Sequence, residues 1–311
     1  MPDKDKSNDS EQRQGETRCG FVTLLGAPNA GKSTLLNQMV GAKVSIVTPK
    51  VQTTRFKVLG IVLHGAAQIV FVDTPGIFAA RKRLERAMVA AAWSGAGDAD
   101  AVAVLIDASR GFTDDTRNII EGLKKANRPA VLVVNKIDLV HREILLPLVE
   151  ELVSTFEFER VFMVSALTGN GVRDLVAHFA EKVPAGPWLF DEDQISDMPA
   201  RTLASEITRE KLFMTLRQEL PYALAVETDK WEERKDGSAA IYQTIYVERD
   251  NQKAIILGHG GRCIKSVGAA ARKELEELLE RRLHLFLFVK VRENWTNDPD
   301  RYRDVGLDFN S

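Results

Sequence analysis

Gly26-Ala27-Pro28-Asn29-Ala30-Gly31-Lys32-Ser33 follows the apolar run Phe21–Leu25 and opens a stretch of helical spacing, Ser33–Val40. The spacing G-x-x-x-x-G-K-[ST] between a strand and a helix has a physical mechanism. Glycines let the main chain wrap closely around phosphates, and successive N–H groups with the helix N-terminus supply partial positive charge. Gly26, Asn29, Ala30, Gly31, Lys32, Ser33 and Thr34 are the candidate phosphate contacts. Lys32 is placed to reach the β- and γ-phosphates, and the Ser33 hydroxyl to ligate Mg²⁺. The plain alternative is a glycine-rich turn without a ligand, and the strand-to-helix setting weighs against it.

Working outward, further apolar runs are Phe56–Leu63, Gln68–Val72, Ala101–Ile106, Ala130–Val134 and Val161–Val164. They alternate with helical periods at Leu84–Trp93, Asp114–Lys125, Leu145–Phe156 and Val172–Lys182. Strands alternating with helices predict an α/β domain, a mostly parallel sheet covered on both faces, over residues 19–183. Residues 1–18 are polar and of mixed charge and read as a disordered tail. Residues 184–200 contain Pro184, Pro187 and Pro199 with four acids and no base, a linker composition.

Motifs recur at predicted strand ends, where an α/β sheet opens its ligand crevice. Asp73-Thr74-Pro75-Gly76 ends Gln68–Val72; Asp73 would hold Mg²⁺ through water and the Gly76 amide would sense the γ-phosphate. Asn135-Lys136-Ile137-Asp138 follows Ala130–Val134, and the Asp138 carboxylate can accept two hydrogen bonds from guanine. If that carboxylate is buried, adenine is rejected by roughly 10⁴-fold, since it leaves the acid unpaired. Ser165-Ala166 after Val161–Val164 puts the Ala166 amide against the guanine O6. In the loop Thr48–Arg55 either Thr53 or Thr54 is a candidate for Mg²⁺. Ile77 stands where many GTP hydrolases carry a water-orienting glutamine, and its side chain can neither donate nor accept. Turnover is therefore expected to be slow, and a protein using GTP only as a structural ligand is the first alternative. Arg81, Lys82, Arg83 and Arg86 form a basic run after the third motif.

Residues 201–305 follow another pattern, with 306–311 as a C-terminal tail. A helix is predicted over Glu206–Glu219, then strands at Tyr222–Val226 and Ile241–Val247 with a turn at Arg234–Gly237. A short helix over Lys253–Leu257, a long one reaching about Arg282 and a last strand at Leu285–Val291 complete an α+β module. Between the two helices lies Gly258-His259-Gly260-Gly261-Arg262-Cys263-Ile264-Lys265. A G-x-x-G loop lacks side-chain bulk, so a nucleic-acid backbone can approach its amides. From Lys253 to Lys273 the bases are Lys253, Arg262, Lys265, Arg272 and Lys273, without an acid. Unpaired RNA is the expected ligand, with Gly258, His259, Gly260, Gly261, Arg262 and Lys265 as candidate contacts.

The 311 residues carry a net charge of −2, 44% hydrophobic and 28% charged residues. This excludes a disordered, collagen-like or disulfide-stapled chain and a protein that coats nucleic acid by bulk charge. Two cysteines far apart, Cys19 and Cys263, fit a reduced, cytoplasmic compartment. Neither a membrane-length apolar run nor a secretory signal is expected.

The order of five guanine-nucleotide motifs resembles the translation-factor-related GTPases. The variants G-x-P-N-x-G-K-S, Gln52-Thr53-Thr54-Arg55 and D-T-P-G-I resemble their Era-like branch, and the second half resembles a type II KH domain. The resemblance spans about residues 19–305. It implies a mixed, mostly parallel P-loop GTPase domain followed by a type II KH domain. It favours Thr54 for Mg²⁺ and makes Lys32, Thr54, Gly76 and Asn29 the catalytic set, with Asn29 as a K⁺ ligand. It further implies Mg²⁺ with GTP or GDP, and binding near the 3′ end of 16S rRNA in maturation of the 30S subunit. A monomer is expected, with weak peripheral association at the inner face of the cell membrane. A branch member serving tRNA modification or signalling, its C-terminal module contacting protein, is the second alternative.

Overall fold

The computed structural model describes residues 17–80, 82–293, 295, 307 and 308. Most of the expected N-terminal and C-terminal tails, and Arg81 of the basic run, lie outside these residues. By contact density the described chain forms two units. One holds the residues up to Ser45, Thr54 to Ala80 and Met88–Asp197; the other holds Ile46–Thr53, Lys82–Ala87 and the residues from Met198 on.

In the first unit the elements run β1 (Arg18–Gly26), α1 (Lys32–Val40), β2 (Val58–His64), β3 (Ala67–Asp73), α2 (Arg83–Asp98, entering this unit at Met88), β4 (Ala101–Asp107), α3 (Asp114–Lys125), β5 (Val131–Asn135), α4 (Arg142–Thr155), β6 (Arg160–Met163) and α5 (Val172–Lys182). The sheet order is β2-β3-β1-β4-β5-β6. Every pairing is parallel except the β2–β3 hairpin. That hairpin turns at Gly65-Ala66, with Gly65 at φ 59°, where a glycine carries no Cβ penalty. All residues of β3, β4 and β5 are buried, which is why these segments are near-continuous apolar runs rather than alternating ones. Val104, Ile106 and Val134 from the sheet pack with Ile119, Leu123, Leu148 and Leu152 from the helices. This parallel arrangement brings Gly26, Asp73, Asp107 and Asn135 to the same edge of the sheet; in register, Leu24 faces Asp73 and Asp107 faces Asn135.

The second unit contains α6 (Ala200–Thr215), β7 (Leu224–Glu233), β8 (Ala239–Val247), α7 (Asp250–Leu257), α8 (Arg262–Leu278) and β9 (Leu283–Val291). Its sheet order is β7-β8-β9, antiparallel then parallel. Leu212, Ile245, Val247, Val267 and Val289 form one part of its core, and Ala204, Ile207, Ile241, Ala271, Leu275 and Leu283 another. Several boundaries differ from expectation: α8 stops at Leu278 rather than reaching about Arg282, and β9 begins at Leu283 rather than Leu285, where it pairs with Ala239 of β8. α6 starts at Ala200 behind Pro199, because Leu203 and Ala204 pack into the core ahead of Glu206. It stops at Thr215, and Leu220–Ala223 is a separate 3₁₀ turn rather than the start of a strand. β7 continues through the polar stretch Glu227–Glu233 because β8 pairs with it up to Glu233↔Ala239. Such pairing is non-local, and local hydrophobicity does not announce it.

Candidate functional site

β1 ends at Gly26 with no space for a side chain, since a Cβ there would sit 2.7 Å from the Leu105 carbonyl oxygen. Beyond it Asn29 and Gly31 take left-handed backbone at φ 64° and 97°, and Gly31 caps α1. A Cβ on Gly31 would lie 2.3 Å from Asn135 Nδ2, so the loop and the fourth motif are in direct contact. Asn135 is 1% exposed; its Nδ2 donates to the Ala30 carbonyl at 2.9 Å, and its Oδ1 accepts from the Ala166 amide at 3.0 Å. One amide side chain thereby joins the phosphate loop to the Ser165-Ala166 turn. The Ala166 amide, expected against a guanine O6, is here engaged by Asn135. Ser165 is buried and its Oγ accepts from the Thr168 amide at 3.1 Å.

Lys32 opens α1 with its ammonium folded back into the loop, donating to the carbonyls of Gly26 at 3.0 Å and Ala27 at 3.1 Å. Burial pushes its pKa down to about 8, opposed by the charge of Asp73. Thr34 follows in the first turn of the helix. Asp73 is fully buried at the end of β3, and burial raises its pKa against the pull of Lys32 and three hydroxyls. Its Oδ2 accepts from Ser33 at 2.6 Å, Ser45 at 3.0 Å and Thr54 at 3.3 Å, while Ser33 and Thr54 share a 2.9 Å hydrogen bond. Its Oδ1 is buried with no hydrogen-bond partner among the described residues. An orphaned carboxylate oxygen among hydroxyls is a set of hard oxygen donors suited to Mg²⁺. Ser33, Thr54 and Asp73 are thus the residues that fit the metal. Thr53 instead shares a 2.6 Å hydrogen bond with Thr48 and donates to the Lys50 carbonyl at 2.7 Å. Ser45 escaped the sequence reading, because a lone serine in a loop carries no signal before the fold brings it to Asp73.

Gly76 packs on the loop from the other side, where a Cβ would lie 2.9 Å from Pro28 Cα. The next amide, of Ile77, donates to the Gly26 carbonyl at 3.1 Å, and the Ile77 side chain is buried in the core. At the base end, Asp138 lies in the 3₁₀ turn Ile137–Leu139 and is exposed, not buried. Lys136, at φ 63°, donates to Asp107 Oδ2 at 2.6 Å, and Asp107 Oδ1 accepts from the Ser109 amide and hydroxyl. Asp107 also escaped the sequence reading; its only signal is its place at a parallel strand's C-terminal end. Against the cost of burial, these hydrogen bonds and the Lys136 charge hold its carboxyl below the usual value.

In the second unit the loop between α7 and α8 has Gly258, Gly260 and Gly261 at φ 70°, 61° and 74°. A Cβ on Gly258 would lie 2.8 Å from Cys263 Cβ, so glycine is required there on two counts. His259, Gly260, Arg262 and Lys265 are exposed, and Arg262 Nε donates to the His259 carbonyl at 3.2 Å. From this loop a groove runs between α8 and β9, bordered by Ile264, Lys265, Gly268, Ala269 and Arg272 on one side and Leu285–Phe288 on the other. Its floor is apolar and its helical wall carries cations.

The first unit is a guanine-nucleotide-binding phosphate-loop domain, and the second has the element order and glycine loop of a KH domain. Residues 21–136 match the family described as 50S ribosome-binding GTPase, and residues 219–296 match the KH domain family. GTPase Era of Rhizobium meliloti is 61% identical over 305 residues, 98% of this chain and 97% of its own. GTPase Era of Brucella suis is 59% identical over 299 residues, 96% of each chain. A crystal structure of an Aquifex aeolicus Era variant bound to GDP and AlF₄⁻ superposes with a TM-score of 0.88 at 39% identity, covering 93% of this chain and 99% of that one. An Era complex with MgGDPNP and nucleotides 1506–1542 of 16S ribosomal RNA matches with the same identity, coverage and score. The chain belongs to the Era GTPase family, with the expected mixed, mostly parallel sheet and a C-terminal KH domain.

Proposed function

We propose that this GTPase is a nucleotide-operated switch that binds unpaired RNA at the 3′ end of 16S rRNA and serves maturation of the 30S subunit. The observation that carries the nucleotide half is buried Asp73, with one oxygen orphaned, set against Lys32, Ser33 and Thr54. The RNA half rests on the G-x-x-G loop with its basic groove, and on the relative that holds nucleotides 1506–1542 of 16S ribosomal RNA.

In hydrolysis, water attacks the γ-phosphorus of GTP, the bond to the bridging oxygen breaks, and GDP and phosphate leave. Mg²⁺ held by Ser33, Thr54 and Asp73 supplies neutralisation of developing phosphate charge when bound. Lys32 and the loop amides stabilise the same charge from the protein side. Ile77 is turned into the core, so the attacking water is oriented by another group and intrinsic turnover is slow. Asn29 is assigned the K⁺ that substitutes for an arginine finger. Thr54 continues directly from Ile46–Thr53, a segment that belongs to the second unit, which gives nucleotide state a covalent route to the KH module. The protein acts in the cytoplasm as a monomer, with weak peripheral association at the inner membrane face, and 184–200 serves as the interdomain linker.

Single-turnover hydrolysis in KCl and in NaCl, with and without the 1506–1542 RNA, tests this reading. Faster cleavage in K⁺, abolished by Asn29→Ala, is expected. Equal rates in both salts overturn the K⁺ assignment, and no turnover in any condition leaves GTP as a structural ligand. RNA crosslinking that survives Gly258→Asp with Gly261→Asp overturns the glycine loop as the RNA contact.

A further inference from the structure

The segment Ile46–Thr53, which ends one residue before Thr54, is fastened to α6 within the second unit. Ile46 is buried with Ala204 and Ile207 of that helix. The Val47 amide donates to Glu210 Oε1 at 2.8 Å. The Lys50 ammonium donates to the carbonyls of Phe213 and Leu216 at the C-terminal end of α6, where a cation is favoured. The last fastening is Arg209, 2% exposed, whose Nη2 donates to the Thr53 carbonyl oxygen.

A guanidinium loses its hydration on burial and is tolerated there only when paired. Arg209 Nε donates to Glu206 Oε1 at 2.7 Å and its Nη2 also donates to Glu206 Oε2, while the guanidinium carbon lies 5.1 Å from the centre of the Phe213 ring. Its Nη1 is buried with no hydrogen-bond partner among the described residues. Replacing a buried ion pair by apolar side chains is often neutral or stabilising, so this charge is explained by what it grips rather than by stability. The gripped oxygen belongs to the peptide that leads into Thr54. Partial double-bond character keeps the Thr53 carbonyl, the Thr54 nitrogen and the Thr54 Cα in one plane. Holding that oxygen leaves only the torsions of Thr54 itself to place its hydroxyl, which lies 2.9 Å from Ser33 Oγ and 3.3 Å from Asp73 Oδ2.

We propose that Arg209 is a positioning residue for the metal site. Through the Thr53–Thr54 peptide it holds the Thr54 hydroxyl where Mg²⁺ is bound, so a helix of the second unit tunes the metal affinity of the nucleotide site. The inference rests on the assignment of Thr54 to Mg²⁺ above and adds the group that orients it.

The test is titration of the full chain with Mg²⁺ in the presence of fluorescent GDPNP, beside GDP binding in EDTA. Arg209→Met keeps the apolar stem and removes the donors. It should raise the half-saturating Mg²⁺ concentration about tenfold, the contribution of one hydrogen bond from a charged donor, and leave GDP binding in EDTA unchanged. Single-turnover hydrolysis should fall at low Mg²⁺ and recover at high Mg²⁺. Arg209→Lys keeps a cation for Glu206 with a shorter reach and should shift the curve the same way by less, which keeps the proposal testable if methionine unfolds the second unit. Thr54→Val removes the hydroxyl itself, and adding Arg209→Met to it should cost nothing further, because both changes act through one group. Loss of GDP binding in EDTA alongside the Mg²⁺ shift, or losses that add in the double variant, mean that Arg209 only supports the fold and overturn the proposal. An unshifted Mg²⁺ curve in both Arg209 variants, while Thr54→Val shifts it, overturns the proposal and leaves the metal assignment standing. If Thr54→Val itself leaves the curve unmoved, the assignment of Thr54 to Mg²⁺ fails and takes the proposal with it.

Discussion

Replacing Asn135 by alanine should disconnect two parts of the nucleotide site at once. Its side chain spans from the Ala30 carbonyl at 2.9 Å to the Ala166 amide at 3.0 Å, and both partners are nearly inaccessible, at 2% and 3% exposure. Truncation leaves a buried acceptor and a buried donor without partners, each costing about 1–3 kcal/mol. Water entering the vacated volume would recover part of that, so a net loss of about 2–5 kcal/mol is expected. At about 2–4 °C per kcal/mol for a unit of this size, the first unit of the nucleotide-free protein should melt roughly 5–15 °C lower. The same change frees the phosphate loop and the Ala166 turn to move independently, so GDP affinity should drop by at least about tenfold, the equivalent of about 1.4 kcal/mol. Asn135→Asp is the discriminating companion. It keeps an acceptor for Ala166 but faces the Ala30 carbonyl with a second oxygen, so the damage concentrates on the loop. Calorimetric melting and fluorescent-GDP titration measure both quantities. A melting point within about 2 °C of wild type, with unchanged GDP affinity, would refute the claim that this amide couples loop and turn.

Asp138→Asn replaces an acceptor by an amide and should shift preference from guanine toward xanthine nucleotides, with GTP weakened by about 10–100-fold because the exposed carboxylate contributes charged but solvated hydrogen bonds. Competition of GTP and XTP against labelled GDP reads this, and retained GTP preference means the base lies elsewhere. Lys136→Met removes the 2.6 Å ion pair with Asp107, whose folded pKa is depressed. A depressed carboxyl contributes stability above its usual value of 3.8 and loses it as pH falls through the folded value. The wild-type advantage, about 1 kcal/mol or less for a partly exposed pair, should be present at pH 7 and shrink below pH ~4. Urea unfolding across that range checks the sign, and an advantage that grows on acidification contradicts it.

Where a side chain's role follows from spacing along the chain, it was legible. The loop Gly26–Ser33, the turn Asp73–Gly76 and the glycines Gly258 and Gly261 are required by local backbone geometry, and local geometry is written in local residues. The strands β3, β4 and β5 were legible for a related reason, since burial on both faces demands continuous apolar residues. Illegible were contacts that join segments far apart in the chain. Ser45 meets Asp73 across 28 positions, Lys136 meets Asp107 across 29, and β7 extends through Glu233 only because β8 lies beside it. The exposure of Asp138 belongs here too, because solvent access is a property of the packed surface.

By itself, then, the chain determined two unlike domains, and within them the phosphate loop, the Asn135–Asp138 motif and the glycine loop Gly258–Gly261, each of these three written within about ten consecutive residues. The tertiary structure set Thr54, which the family resemblance already favoured, rather than Thr53 against Ser33 and Asp73, and it alone decided that Ile77 turns into the core and that Phe286 stacks on Tyr242. Neighbouring residues such as Thr53 and Thr54 are chemically equivalent in sequence. Only the direction in which the folded backbone points each side chain separates them.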